Sequence, residues 1–337
     1  MSITTIGLDL AKNVFQVHGV NAAGDVIVRR RLRRAQVCTY FAGLTPCLIG
    51  MKACGTSHFW ARELVALGHE VKVIPQPYVR RGKIDATDAE AICEAVTRPN
   101  MRFMPIKTEN QQAALMLHMA RELLVRQQTM LVNALRAHMA ELGMVAPLGR
   151  GKVKDITAVI EDSEDESIPN LAKAALKPLV MQLRANEDAT AALDVEIKAW
   201  HKSNTTSQRL AKIPGVGFLT ASAIAATVPG TSFFKSGREF SAWLGLVPRQ
   251  NSSGGKERLG RISKQGNPYI RRLLVIGATS MLRYARAKTA PGANWVNNLL
   301  ERRPPRLVTV AMANMTARIA WALMVREETY RAPATAV

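Results

Sequence analysis

Apolar positions in the first hundred residues switch between the period of a strand and the period of a helix. Residues 3–10 form a β-branched apolar run. Residues 14–20 alternate, with Val14, Gln16, His18 and Val20 on one face and Phe15 and Val17 on the other. Asn21, Ala22, Ala23 and Gly24 have turn chemistry, and 25–32 resumes the strand pattern, so an antiparallel three-stranded meander is expected. A short helix (35–44), a buried strand (47–51), a helix (57–67), a strand (71–74) and a helix (87–96) follow. Between 109 and 142 no Gly or Pro interrupts a run rich in Gln, Leu, Met, Ala and Arg, which predicts one long helix. Leu117, Leu124, Leu131, Leu135 and Leu142 nearly keep a heptad stripe along it. A Gly/Lys-rich stretch and an acidic one break the pattern over 143–166, and a second long helix is expected over 170–203. The two long helices read either as a spacer between domains or as an oligomerisation arm. In the second case Arg121, Arg126 and Arg136 would touch nucleic acid.

The order β-β-β-α-β-α-β-α is that of the ribonuclease-H-like fold, so the chain reads as α/β followed by a mostly helical remainder. Three segments are expected: 1–105, a helical arm over 106–205, and 206–337. The last opens on Ile213-Pro-Gly-Val-Gly217 ahead of an Ala-rich helix over 219–228, which resembles a helix-hairpin-helix signature. There Gly215 and Gly217 allow a tight turn, and N–H groups at the next helix start can hold a phosphate without reading sequence. An ordinary pair of core helices is the alternative. Residues 245–276 read as a basic loop and helix, with Arg249, Lys256, Arg258, Arg261 and Lys264 followed by Arg271 and Arg272. Small residues permit close approach to a phosphate backbone and cations supply the charge, although a solvated loop has a similar composition.

Charge narrows the choice of partner. Lysine and arginine number 46 against 26 acidic residues, a net +20. That excess favours a polyanion, most often nucleic acid, though ribosomal and membrane-surface proteins share it. No run of eighteen apolar residues and no basic segment leading into an apolar one is apparent. Neither a membrane span nor a signal peptide is expected, and the chain reads as cytoplasmic. Cys38, Cys47, Cys54 and Cys93 lack CxxC spacing, which argues against zinc or disulfides and for buried reduced thiols.

Asp9 closes the first apolar strand, where a carboxylate is costly unless solvated, hydrogen-bonded or metal-bound. Asp85 and Asp88 stand three apart near a helix start, which puts both on one helical face. One of them could be only an N-cap. Joined with Asp9 they make a candidate for two divalent ions roughly 3.5–4 Å apart at a phosphodiester. Oxygen ligands favour magnesium or manganese.

The motifs GLDLAK, MKACGTSHFW, KIDATDAEAI, IPGVG, WLGLVPRQNSSGGK and ISKQGNPYIRRLL, with ARIAWAL near Arg318, occur in this order over nearly the whole chain. Together they resemble the DEDD transposases of bacterial insertion sequences, the IS one-ten family and its IS eleven-eleven branch. The resemblance implies a RuvC-like domain, a coiled coil and a C-terminal transposase domain. It implies magnesium held by the DEDD carboxylates, here Asp9, Asp85 and Asp88. It implies excision and integration of an element in double-stranded DNA, directed by a structured guide (bridge) RNA, and assembly as dimers and tetramers. The C-terminal serine that attacks DNA in such proteins falls on Ser253, with Ser252 adjacent. Hydrolytic junction resolution and nucleic-acid binding without catalysis are the competing functions.

One position departs from the family. Its glutamate, expected to close the strand beside Asp9, is Lys52 here. An ammonium removes an oxygen ligand, adds positive charge beside the intended cation, and could pair with Asp9 or Asp85. Natural decay of this copy, a deliberate change, or compensation by Glu63 or Glu90 would each account for it. The expected consequence is a chain that binds nucleic acid and cleaves it poorly.

Overall fold

The computed structural model describes residues 2–75, 85–147, 149, 153–228, 230, 233–252, 255–256, 258–286 and 293–331. The chain divides into two compact units, Met1–Gln112 with Thr227–Phe240, and Ala113–Ala226 with Ser241–Val337.

The first unit is built on a mixed five-stranded sheet of order β3-β2-β1-β4-β5. Strands β1 (Thr5–Leu10), β2 (Val14–Val20) and β3 (Val26–Arg33) form the expected antiparallel meander, and β4 (Leu48–Lys52) and β5 (Glu70–Ile74) add in parallel. Alternation sends Ile6, Leu8, Phe15, Val17, Leu32, Ile49 and Met51 to one face. There they pack with Val37 and Phe41 of α1 (Val37–Ala42) and Trp60 and Leu64 of α2 (Ser57–Ala66). The other face is covered by α3 (Asp85–Thr97), whose Ile92 and Val96 cluster with Ile74 and Leu48. The element order is the one expected, with ends shifted by a residue or two. The helix read over 35–44 is instead a single 3-10 turn, Arg34–Gln36, followed by the short α1.

A pair of glycines sets how close α3 comes. Gly7 and Gly50 are register partners on β1 and β4. A Cβ on Gly7 would stand 2.0 Å from the Ala89 carbonyl oxygen, and one on Gly50 2.8 Å from Val96 Cβ. The helix therefore rests on bare backbone, which holds its first turns beside the C-terminal ends of the two strands.

The second unit is largely helical. It contains most of α4 (Glu109–Glu141), then α5 (Lys154–Glu161), α6 (Asn170–Ser203), α7 (Thr205–Leu210) and α8 (Phe218–Thr227). Helix α9 (Gly237–Trp243) leads into a hairpin of β6 (Pro248–Gln250) and β7 (Leu259–Ile262), and α10 (Pro268–Arg286), α11 (Ala293–Leu300) and α12 (Pro305–Arg326) close the chain. Both long helices match the sequence reading, but the buried line of α4 is not the leucine stripe. It runs through Ala114, His118, Gln128, Val132, Leu135 and Met139, while Leu117, Leu124 and Leu131 are half-buried and Leu142 is exposed. Two of the buried positions are polar because both are hydrogen-bonded. Gln128 Nε2 donates to Asn186 O at 2.7 Å and to Thr190 Oγ1 at 2.9 Å on α6.

Helix α5 lies inside the stretch expected to break the pattern. Its Ile156 and Ile160 join Val132, Leu135 and Val180 in a core. The acidic segment after it is engaged as well: Lys173 Nζ donates to the carbonyls of Asp162 and Asp165, and Arg184 pairs with Glu161. Helix α12 is, among the described residues, one helix long and apolar enough by length and composition to cross a membrane. Here it packs on α10, α7 and α11, with Val308, Met312, Ala313, Ala317 and Ala320 buried. Cys47 and Cys93 are buried, and burial pushes both thiols up to about 11, whereas Cys54 is half-buried and Cys38 exposed; all four are free.

His118 sits in a closed polar network. Ser222 Oγ donates to Phe218 O at 2.6 Å and lies 3.1 Å from His118 Nε2, and His118 Nδ1 lies 2.9 Å from the Tyr269 hydroxyl. With the serine proton committed to the carbonyl, the ring donates from Nε2 and accepts the tyrosine proton at Nδ1. Burial, with Arg121 adding to it, lowers His118 from 6.5 to about 4. The fold holds the ring neutral while an unfolded chain protonates it below about 6.5. The stability that this contributes is complete above that pH and is lost as pH falls toward 4. Guanidinium unfolding is expected to show a loss of roughly 3 kcal/mol across that window from this group, absent in His118→Gln. Equal pH dependence in the two proteins would refute the assignment.

Candidate functional site

Two groups of the residues singled out above can be placed. The first lies where β1 and β4 end beneath α3. Register pairs Leu8 with Met51, so the next positions, Asp9 and Lys52, are neighbours at the strand ends. Both alternate onto the α3 face with Gly7 and Gly50. Asp88, one residue before the Ala89 that rests on Gly7, meets Lys52: Nζ and Oδ2 are 3.6 Å apart, with the side chains 27% and 17% exposed. Lys52 therefore has Asp88 as an ion-pair partner, a third carboxylate beside the Asp9 and Asp85 considered from the sequence. Asp85 opens α3, and its side chain, like the whole of Ser253, lies outside the described residues.

Asp88 Oδ1 is buried and has no hydrogen-bond partner among the described residues. An orphaned carboxylate oxygen is costly, and a cation on both oxygens would relieve it. Against that stands the Lys52 ammonium, whose charge opposes a divalent ion at this point. Among the described residues no three His, Cys, Asp or Glu side chains converge on one point. The position that would supply another oxygen supplies an ammonium already paired with Asp88. Compensation is not in place either: Glu63 belongs to α2, under the opposite face, and Glu90 pairs with Arg29 at 3.5 Å.

The second group surrounds the C-terminal loop. The segment read as a basic loop and helix contains the β6–β7 hairpin, whose short strands are almost wholly exposed and so lack the apolar alternation that would reveal them. The hairpin is closed by Asn251 N–H donating to Arg258 O at 2.8 Å and by Arg258 N–H donating to Ser252 Oγ at 3.1 Å. Arg249, Lys256, Arg258, Arg261 and Lys264 are exposed around it. Arg271 and Arg272 are engaged within the unit. Arg271 donates to the carbonyls of Leu244 (2.8 Å) and Gln265 (2.9 Å), and Arg272 pairs with Glu122 at 2.9 Å.

Gly215 and Gly217 differ in environment. Gly215 has φ +78°, and its carbonyl oxygen would stand 1.9 Å from a Cβ on Gly277 of α10, so this turn packs backbone to backbone. Gly217 has open space where a Cβ would be, immediately before α8. Of the arm arginines, Arg121 pairs with Asp194 at 2.5 Å and Arg136 donates to the carbonyls of Pro147 and Gly149, while Arg126 is exposed. The arginines of β3 were passed over in the sequence reading, although their density in VIVRRRLRR was visible.

The comparisons with known proteins cover both groups. Residues 6–144 match the DEDD transposase family of IS110 elements, and 207–291 match the Transposase IS116/IS110/IS902 family. A probable family 20 transposase of Pseudomonas aeruginosa is 46% identical over 98% of this chain and 99% of its own length. The transposase for insertion sequence element IS1111A of Coxiella burnetii is 40% identical over 98% of this chain and 92% of its own. The transposase for element IS1328 of Yersinia enterocolitica is 39% identical over 95% and 96%. With both halves matched in order and whole relatives spanned almost end to end, the chain belongs to the IS110 family of transposases, the DNA-cleaving recombinases of insertion sequences.

Proposed function

We propose that the chain is a transposase that excises and integrates its element by guide-RNA-directed strand cleavage and exchange, with Ser253 as nucleophile, and that Lys52 leaves this copy able to bind nucleic acid but poor at cutting it. The observation that carries the second half is the Lys52–Asp88 ion pair beside Asp9. Asp9, Asp85 and Asp88 are the groups that would hold magnesium once position 52 is an acid, and in this chain no step runs through the metal.

In the serine step, the Ser253 oxygen attacks a backbone phosphorus. A phosphoserine bond forms, one P–O ester bond breaks, and the leaving deoxyribose oxygen becomes a hydroxyl. A serine hydroxyl is a weak nucleophile and needs a base or nearby cations. The exposed Arg249, Lys256, Arg258, Arg261 and Lys264 can neutralise phosphate charge that builds up on the attacked group. Ser252 already accepts a backbone hydrogen bond that closes the hairpin, which favours its neighbour for chemistry. The open backbone at Gly217 before α8 suits a helix-hairpin-helix contact to phosphate, and the long helices suit a coiled-coil arm in a dimer or tetramer. The partners of this reading are double-stranded DNA and the guide RNA, in the cytoplasm.

Covalent trapping tests the reading. With guide RNA, magnesium and labelled element-end DNA, Lys52→Glu is expected to retain label on protein after denaturation, and Lys52→Glu with Ser253→Ala to lose it. The parent chain should bind the same DNA with little adduct. Cutting that survives Ser253→Ala would point to hydrolysis and remove the serine from the mechanism.

A further inference from the structure

Alternation along β3 sorts its arginines. Arg30 lies on the face of Leu32, with its guanidinium 5.2 Å over the Tyr40 ring, and Arg34, just past the strand, lies 5.1 Å over Trp60. Both are held against aromatic rings of the core side. Arg29, Arg31 and Arg33 fall on the opposite face and are exposed. That face is the one of Asp9. Register places Arg31 opposite Gln16 and Gln16 opposite Asp9, in one row across the sheet. At about 4.8 Å per strand, Arg31 stands roughly 10 Å from Asp9. The row behind it runs from Arg29 through His18 to Gly7. A cleft of about 380 Å³ opens here, lined in part by Arg29, Arg31, Gln16, His18 and Glu90.

We infer that Arg29, Arg31 and Arg33 form a track for the phosphodiester backbone of a nucleic-acid strand crossing the Asp9 face. The inference rests on the proposed reading of that face as the side of strand cleavage. Alternate residues of a strand repeat about every 7 Å, a spacing on the scale of successive nucleotides in an extended chain. A guanidinium offers paired donors that fit a phosphate in a way an ammonium does not. The recorded acidic partner is Glu90 with Arg29 at 3.5 Å, the side chains 44% and 65% exposed, a pair weak enough for a phosphate to displace. Edge protection is the plain alternative, since cations on an outer strand deter pairing with other sheets. Lysines would serve that purpose equally, and protection does not require three arginines on the face of Asp9.

The test measures binding of labelled single-stranded DNA, single-stranded RNA and duplex DNA by anisotropy across about 50–200 mM salt. In Arg29→Gln/Arg31→Gln/Arg33→Gln the slope of log affinity against log salt should flatten by about two to three, at roughly 0.7–0.9 per phosphate contact. Affinity should fall tenfold or more for the strand type that uses the track, and comparing the three probes identifies it. The matching triple lysine variant should keep the parent slope, and Arg302→Gln/Arg303→Gln/Arg306→Gln, three exposed arginines elsewhere, should leave it unchanged. If the triple variant unfolds, Arg31→Gln alone should flatten the slope by about one. An unchanged slope, or an equal loss in the second-unit control, overturns the track while leaving the proposed function standing. A parent chain that binds none of the three probes overturns both.

Discussion

Lys52→Glu is expected to strengthen magnesium binding about 100-fold or more and to convert a binding protein into a cutting one. The argument is electrostatic before it is structural. A doubly charged ion and an ammonium about 4 Å apart repel by roughly 8 kcal/mol at an effective dielectric near 20. Lys52 and Asp88 are partly exposed, so water screens much of this. A residue of about 3 kcal/mol is still a hundredfold in affinity. Glutamate also adds a ligand and frees Asp88 Oδ2. Lys52→Gln separates the contributions, since it removes the charge without adding a carboxylate, and should recover only part of the gain. Calorimetric titration with magnesium reads the affinity, and release of a labelled strand reads the cutting. Affinity in Lys52→Glu within threefold of the parent would mean that the ion pair is not what disables the site.

Gly7→Ala should cost the first unit about 3 kcal/mol, near the top of what overpacking does. The added methyl would stand 2.0 Å from Ala89 O and 2.5 Å from Cys93 N, both backbone atoms. No rotamer change relieves a clash with backbone, so α3 must lift from the sheet, and Asp88 goes with it. The variant should therefore lose both stability in urea and any cutting restored by Lys52→Glu. Gly55→Ala is the control: nothing lies within 4 Å of its Cβ direction, and its change should stay within about 0.5 kcal/mol. A Gly7→Ala penalty under about 1 kcal/mol would show that the close approach of α3 is not required.

The first unit was legible because its information is local. Period-two alternation marked Phe15 and Val17 against Gln16 and His18, and the turn at Asn21 to Gly24 fixed the meander. Placing position 52 beside Asp9 came from the family resemblance, and the register of β1 with β4 agrees with it. That Asp88 meets Lys52 was not legible, because it depends on how low α3 rides on Gly7 and Gly50, a tertiary distance with no signal in either helix or strand. The arm misled for another reason. Counting leucines assumes that the buried seam is apolar, whereas His118 and Gln128 are buried with their hydrogen bonds satisfied by distant residues. The β6–β7 hairpin left no pattern, since nearly all its described positions face solvent. The contacts of Arg271 with two carbonyls and of Arg272 with Glu122 were not legible, because their partners are distant or unpatterned in the sequence.

The buried amide of Gln128 has a mechanical meaning. Helices α4 and α6, 33 and 34 residues long, are each about 50 Å in length at 1.5 Å per residue. Two apolar surfaces of that size could slide by a turn and bury nearly as much. Sliding here would strip Gln128 of Asn186 O and Thr190 Oγ1 and strand a polar group in the seam, at a cost of about 1–3 kcal/mol. The pair is thereby indexed at a single notch, a ruler whose length is set by Gln128 and the Arg121–Asp194 ion pair and not by the sum of its leucines.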